Sequence, residues 1–243
     1  PITCLIRAVG PKTDGEILEL FGEDERILAT LEKDACKTYE DAILEIYRKL
    51  RPGEPPTLDS AESLITATFF DPRRYDLSAV GRYKFNKKMA LWTRLAGHTL
   101  AQPVADPRTG EILAEAGETL SRERAQELDH KGVNDVVLDV DGKLVKVFSN
   151  NMVRLEDFVD FDPEEIGVRE MVSFPVLCSL LDQYSGEELK EACQNQIDDL
   201  IPRHITVADI MASINYLNCL AHNVGTPDDI DHLGNRRLRC VGE

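Results

Sequence analysis

The chain has 243 residues, and 44 acidic against 28 basic residues give it a formal net charge of −16. Its 42% hydrophobic and 30% charged residues are ordinary for a globular protein with a buried core. No apolar stretch reaches the ~18 residues of a membrane-spanning helix, which excludes a transmembrane helix. No signal peptide is visible at the N-terminus. The average acidity argues against a nucleic-acid binder, because phosphates require clustered Lys and Arg.

The cysteines predict the redox state and location of the protein, and the N-terminus predicts that the chain is a piece of a longer one. No two cysteines have the two-residue spacing of a zinc knuckle or a thioredoxin-like motif. A chain of this size does not need disulfides, so we expect reduced, mostly buried thiols and a cytoplasmic location. The chain starts in an apolar run without Met, and we expect a piece of a longer chain. The six cysteines are at positions 4, 36, 178, 193, 219 and 240.

The N-terminal part is predicted to be helical after a short apolar start. Thr38 and Asp41 have the spacing of a capping box, and apolar residues with helical spacing follow them. The proline-rich segment 51–56 must end this helix, and Thr57 then caps a second one.

The segment from about 91 to 150 is predicted to be a compact β-rich module with one helix, capped by Ser121. Asp141-Gly142 is a strong signal for a two-residue hairpin turn. Two further helices are expected at 185–200 and 206–221, capped by Ser185 and Thr206. The predicted strands are Thr99–Val104, Glu111–Ala114, Asn134–Val140 and Lys143–Phe148.

The charge is distributed unevenly. Segment 71–88 contains six basic residues and two acids, with two tyrosines and a phenylalanine between them, whereas residues 91–200 contain 23 acids and 10 bases. Basic residues interleaved with aromatics suit single-stranded nucleic acid, since the charge meets phosphates and the flat rings meet bases. A solvated basic face that balances the acidic bulk is an equally good interpretation of the residues alone.

No catalytic or metal-binding residue is predicted. The sequence has no nucleophile elbow, no Cys paired with an obvious His and no glycine-rich phosphate loop. One cluster has divalent-ion ligands in principle, but the same acids can instead neutralise three following arginines across the turn at Gly234-Asn235. The cluster is Asp228, Asp229, Asp231 and His232, and the arginines are Arg236, Arg237 and Arg239.

Four motifs, in this order, closely resemble the β subunit of bacterial DNA-directed RNA polymerase. They are RPGEPPT at 51–57, FFDPRRYDL at 69–77, GRYKFN at 81–86 and DDIDHLGNRR at 228–237. The resemblance, which includes residues 1–21, implies the lobe (β2) domain, made of residues 1–88 with 205–243. Residues 89–204 resemble a lineage-specific insertion of the longer form found in Gram-positive, clostridia-like bacteria.

The implied fold is α+β, a mainly helical lobe with short strands. The insertion would comprise a β-rich module at about 91–150, similar to the sandwich-barrel modules of large polymerase subunits, and a helical part at about 160–204. The implied function is transcription. In the family that the motifs resemble, the lobe lines the downstream DNA channel and contacts the non-template strand, and the magnesium ions are held by the β′ subunit. The resemblance therefore implies no cofactor in this chain.

The same resemblance supplies DNA-binding residues. In this family, the loop that matches 229–237 lines a pocket for an unstacked non-template guanine. Ile230 would pack on the base, Asp231 would accept from its Watson–Crick edge, and Arg236 would pair with base or phosphate. Arg82 and Lys84 match the family's basic stretch and would face the same strand.

The implied partners are DNA, the rest of β, and the β′, α and σ subunits. The alternative is an acidic protein-interaction module that docks transcription factors. An electrostatic map discriminates between the two, because DNA binding needs the bases of 73–88 and 236–239 on one face.

Overall fold

A computed structural model describes residues 1–236 and 241–242. The fold is α+β and helices predominate, as predicted. The helices are α1 (Ile2–Val9), α2 (Asp14–Phe21), α3 (Glu25–Lys33), α4 (Tyr39–Leu50), α5 (Leu58–Ile65), α6 (Ser78–Met89), α7 (Trp92–Leu95), α8 (Arg122–His130), α9 (Phe174–Leu181), α10 (Gly186–Asn195), α11 (Ile197–Leu200) and α12 (Val207–Leu220). Short π or 3₁₀ turns occur at Thr66–Phe70, Leu155–Asp157, Pro163–Ile166 and Leu233–Asn235.

The strands are short and antiparallel. They are β1 (Thr99–Leu100), β2 (Val104–Ala105), β3 (Ile112–Ala114), β4 (Asp135–Val140), β5 (Lys143–Phe148), β6 (Met152–Val153) and β7 (Val172–Ser173). They form a three-stranded sheet in the order β1-β4-β5 and two pairs, β2-β3 and β6-β7. The sandwich-barrel form predicted for residues 91–150 is not shown by these small sheets.

Helix capping follows the sequence closely. Thr38 with Asp41 and Thr206 with Asp209 form reciprocal capping boxes, and Thr57 accepts a hydrogen bond from the Ser60 amide. The prediction for 185–200 was wrong in detail. Ser185 precedes α10 without a side-chain cap bond, and the chain breaks at Gln196 into α10 and α11.

The β4-β5 hairpin turns at Asp141-Gly142, as predicted, and both residues have positive φ. This left-handed pair suits a type I′ turn, whose twist matches the twist of the flanking strands. Alternate strand residues then point to one face, where Val136 and Leu138 of β4 and Val145 of β5 pack in one core with α8.

The predicted insertion and the predicted lobe share hydrophobic cores. Cys219, near the end of α12, and Val224, just after this helix, join the core of the β1-β4-β5 sheet. Phe148, the last residue of β5, packs with Ile17 and Phe21 of the N-terminal helices, and its ring centroid lies 5.5 Å from that of Phe21. Strand β5 therefore packs in two cores, one shared with the end of α12 and one shared with the N-terminal helices.

The five described cysteines are unpaired, and all except Cys178 are buried. The Sγ atoms of Cys4 and Cys36 lie 3.7 Å apart. Burial, together with the hydrogen bond to Cys36, raises the pKa of the Cys4 thiol to about 12. Of the helices in the described part of the chain, none is long and apolar enough to cross a bilayer.

Candidate nucleic-acid interface

The basic segment 71–88 contributes most of α6, and the inner face of this helix is buried. The side chain of Arg82 is 0% exposed. Its Nη1 donates to both carboxylate oxygens of Asp209 at 2.9 Å, and its Nη2 donates to the backbone carbonyl of His204. Such a paired charge satisfies most of its donors inside the protein, which a buried guanidinium requires.

Asp209 connects this ion pair to two other elements. As the third residue of α12 it accepts from the backbone amide of Thr206, which caps that helix. Its Oδ1 also accepts from Asn150 Nδ2 at 2.9 Å, and the same amide donates to Asn86 Oδ1 at 3.0 Å. The inner face of α6 is thus anchored to α12 and to the chain that follows β5.

Arg82 was one of the residues expected to face DNA. Its guanidinium lies in the interior and is engaged by Asp209 and His204, so it has no exposed surface to offer a DNA strand. We therefore place Arg82 among the residues that position α6, outside the proposed contact surface.

The outer face of α6 is exposed. Lys84 and Lys87 are exposed, and so is Tyr83, at 60%. The Lys87 ammonium lies 6.0 Å from the centroid of the Tyr83 ring, one helical turn away. Two lysines and an aromatic ring therefore share the solvent-facing side of this helix. We call them the outer strip of α6.

A groove of about 720 Å³ separates this strip from the segment after α12. We call it the α6 groove. Segments 71–88 and 228–236, which are far apart in sequence, therefore adjoin in the structure. The side of α6 contributes Tyr83, Lys84, Phe85, Lys87 and Lys88, and the other side contributes Tyr216, Thr226, Asp228, His232, Gly234 and Asn235.

Lys88 joins the two walls. Its Nζ donates to the carbonyl of Thr226 and to Asp228 Oδ1, both at 2.7 Å, and lies 4.8 Å above the ring of Tyr216. The Tyr216 hydroxyl donates to the same carbonyl at 2.9 Å. Partial burial alone would lower the pKa of Lys88, but the contacts with Asp228 and Tyr216 outweigh it and raise that pKa.

The loop beyond Asp228 presents its side chains to solvent. Ile230 is 79% exposed, and the side chains of Asp231 and Arg236 are 84% and 59% exposed. Asp231 and Arg236 form an ion pair with an N–O distance of 3.7 Å. The turn thus brings an acid and a base together, while Arg237 and Arg239, also predicted to meet these acids, lie outside the described residues.

The backbone of this loop is held by its own polar groups. Asp229 Oδ1 accepts from the Asp231 amide at 2.9 Å, and the Asp229 carbonyl accepts from Asn235 Nδ2 at 2.8 Å. Asp228 pairs with Lys88, as described above. In residues 1–236 and 241–242, no cluster of three or more His, Cys, Asp or Glu side chains is arranged to bind a metal ion.

A second buried arginine supports the floor of the groove. Arg94 donates to the carbonyls of Met89 and Phe148 at 3.0 and 2.7 Å and to Asn215 Oδ1 at 3.1 Å. Its guanidinium carbon lies 5.1 Å from the centroid of the Tyr216 ring, and burial lowers its pKa. The end of α6, strand β5 and helix α12 therefore meet at this side chain.

Most of the chain matches a known family model. The family model for RNA polymerase Rpb2, domain 2, matches residues 1–99 and 165–239, well over half of the chain. The chain belongs to the RNA polymerase Rpb2 domain 2 family. Both walls of the α6 groove lie within the matched ranges, whereas residues 100–164, with most of the strands, lie outside them.

Curated relatives match over the whole chain. It is 55% identical to the DNA-directed RNA polymerase subunit beta of Acetivibrio thermocellus over 246 residues. It is 53% and 50% identical to the subunits of the same name from Clostridium novyi and Clostridium acetobutylicum, each over 244 residues. The chain spans about 20% of the length of each of these three relatives.

Several residues that build or support the α6 groove were not predicted from the sequence. Tyr216, Asn150 and Asp209 were not singled out as site residues, because they lie far from the basic segment in the chain. Lys87 and Lys88 belong to the predicted basic segment, but no position in a site was predicted for either lysine. Helical spacing was the available signal, since residues 82, 86 and 89 share one face of α6.

Proposed function

We propose that this chain is the lobe of a β subunit of DNA-directed RNA polymerase and that the α6 groove with the 228–236 loop contacts the non-template DNA strand. The observation that supports this is the adjacency of the two segments. Lys84 and Lys87 line one wall of the groove, and the 228–236 loop contributes to the other wall. Ile230, Asp231 and Arg236 of that loop are exposed beside the residues that line the groove, not among them. Phosphates, a base edge and a base face each find a partner of suitable chemistry there.

The roles proposed for the loop residues come from the motif resemblance, and the exposure of these side chains leaves them free to act in this way. Asp231 presents a carboxylate that accepts from the amino and imino groups of a guanine edge. Ile230 offers an apolar surface for the base, and Arg236 offers a guanidinium for base or phosphate. Because Asp231 and Arg236 pair with each other without DNA, a bound guanine would have to replace that exposed contact.

Lys84 is proposed to contact phosphates, together with Lys87. In the complete enzyme we expect the rest of β and the β′, α and σ subunits as partners, with the catalytic magnesium held by β′. The comparisons give no support to the alternative of an acidic module that docks transcription factors.

The test is the substitution Asp231→Ala in the complete RNA polymerase that contains this chain. Retention of promoter complexes is measured with each of the four bases at the non-template position that faces the loop. We expect the preference for guanine to fall roughly tenfold, the range of one good base contact, with little change for the other three bases.

Asp228→Ala is the matched control. It also removes a carboxylate from this loop, but the carboxylate of Asp228 pairs with Lys88 and is not expected to read a base. It should change binding equally for all four bases. If Asp231→Ala also weakened all four bases equally, the assignment of a base-reading role to Asp231 would be wrong.

A further inference from the structure

A second cavity, of about 340 Å³, lies on the other side of α6. We call it the Trp92 cavity. Its lining includes Tyr83 and Lys87, which also line the α6 groove. These two exposed side chains therefore form a ridge between the two depressions, and a chain that leaves the groove across this ridge enters the Trp92 cavity directly.

The walls of this cavity, like those of the α6 groove, combine aromatic and basic side chains. They include Trp92, Met171, Arg154 and Arg169. The guanidinium of Arg122 lies 5.0 Å from the centroid of the Trp92 ring. An aromatic ring beside two arginines and a lysine is the combination that suits stacked bases and their phosphates.

The acids near the cavity leave these cations accessible. Arg169 is 78% exposed and pairs with Glu164 at 3.6 Å, an exposed contact of the kind that contributes little stability. Arg154 is half-exposed and pairs with Glu156 and Asp157. Glu170 also lines the cavity. A phosphate can replace Glu164 at Arg169 and Glu156 at Arg154, since these two carboxylates are in contact with solvent. Asp157, the third partner, is 20% exposed and stays beside Arg154.

The remaining acid is tied to the backbone. Asp129 lines the cavity, and its Oδ1 accepts a hydrogen bond from the backbone amide of Leu91 at 3.2 Å, just before α7. This carboxylate therefore holds the turn that presents Trp92, which begins α7.

We propose that the Trp92 cavity is a second subsite for single-stranded DNA, in which a base stacks on Trp92 while Arg154 and Arg169 contact the adjoining phosphates. This inference rests on the proposed function, because the strand reaches the cavity over Tyr83 and Lys87. It adds a subsite that lies mainly in the segment predicted to be an insertion.

Trp92 is the single tryptophan of the chain, so its fluorescence reports on this cavity alone. The 243-residue chain is titrated with single-stranded dT12 at low salt after its cooperative unfolding has been verified by circular dichroism. Total binding is followed by the anisotropy of fluorescein-labelled dT12, and stacking by quenching of Trp92. We expect both signals to give the same dissociation constant.

Two variants separate stacking from packing. Trp92→Leu should weaken dT12 binding roughly fivefold, the loss of one stacked base, while Trp92→Phe should stay within about twofold of the parent. Arg169→Gln should also weaken binding, by about two- to threefold, and Arg48→Gln, which removes an exposed arginine of α4, should not. Arg169 is far more exposed than Trp92, so the loss of binding expected for Arg169→Gln cannot come from disturbed core packing.

The outcomes distinguish this inference from the proposed function. Two results overturn the second subsite and leave the α6 groove as the DNA site. One is a saturable anisotropy signal with unchanged Trp92 fluorescence. The other is that Trp92→Leu and Arg169→Gln bind dT12 as tightly as the parent. Failure of dT12 to bind by either signal at millimolar chain concentration overturns both.

Discussion

The two faces of α6 show how one basic segment is divided between folding and surface chemistry. Arg82 and Tyr83 are neighbours in sequence, yet Arg82 is 0% exposed and Tyr83 is 60% exposed. The inner face pairs with Asp209 and Asn150, and the outer face presents Lys84 and Lys87 to solvent. A count of charges along the chain cannot separate these roles, whereas helical phase separates them at once.

The two faces also differ in what they do energetically. The Arg82–Asp209 pair is desolvated and shares its oxygens with the capping box and with Asn150, so removal of one partner leaves a buried charge unpaired. The outer pair between Lys88 and Asp228 remains in contact with water, and the attraction between its charges is screened. Stability should therefore respond strongly to the inner face and weakly to the outer face.

The largest expected effect is that of Arg82→Leu. This change leaves the Asp209 carboxylate buried without its cation and should lower the free energy of unfolding by about 3–5 kcal/mol. Urea unfolding at neutral pH measures it, with Lys84→Leu on the outer face of the same helix as the matched control, expected within about 0.5 kcal/mol of the parent.

The double variant Arg82→Leu with Asp209→Leu sharpens this comparison. It removes both charges and should recover part of the loss, since a buried ion pair often tolerates replacement by apolar side chains. A loss below about 1 kcal/mol for Arg82→Leu alone would show that the inner pair does not anchor α6.

The sequence predicted the locally determined parts of this arrangement. The capping boxes at Thr38 and Thr206 and the hairpin at Asp141-Gly142 depend on residues within a few positions of one another, and the structure contains all three. The partner of Arg82 is 127 residues away, and no local pattern identifies it. The motif resemblance identified the loop residues, but only the fold shows that Lys88 and Tyr216 join that loop to α6.

The next largest effect concerns Asp129, a carboxylate that has backbone partners instead of an arginine. Burial raises its pKa to about 6, despite the backbone hydrogen bond from Leu91 that opposes the rise. The folded state therefore keeps its proton to higher pH than the unfolded state does. The stability that this proton provides is complete below about pH 4 and is lost as the pH rises to about 6.

Asp129→Asn removes this titration and keeps an oxygen for the Leu91 amide. Relative to the parent, the variant should gain roughly 2 kcal/mol of unfolding free energy between pH 4 and pH 6.5, and the difference should then stay constant. Thermal or urea unfolding across this range measures it. A difference that is independent of pH would mean that Asp129 titrates alike in the folded and unfolded chain.

The smallest expected effect is on the outer side. Asp228→Asn weakens the contact with Lys88 but keeps an oxygen that accepts from it, and the carboxylate is 59% exposed. The free energy of unfolding should change by less than about 1 kcal/mol. Urea unfolding in parallel with Arg82→Leu checks this, and a loss comparable to that of Arg82→Leu would remove the contrast between the two faces.

The most direct test of the central claim is charge reversal on the outer face of α6. Single-stranded dT12 binding to the chain is measured by fluorescence anisotropy as a function of salt, for Lys84→Glu with Lys87→Glu and for the control Lys33→Glu with Lys49→Glu on α3 and α4. We predict that the parent binds no tighter than about 10⁻⁶ M, and that the α6 pair loses roughly tenfold in affinity with a shallower salt dependence. Equal losses for the two pairs would contradict the claim that the α6 groove is the DNA-facing surface.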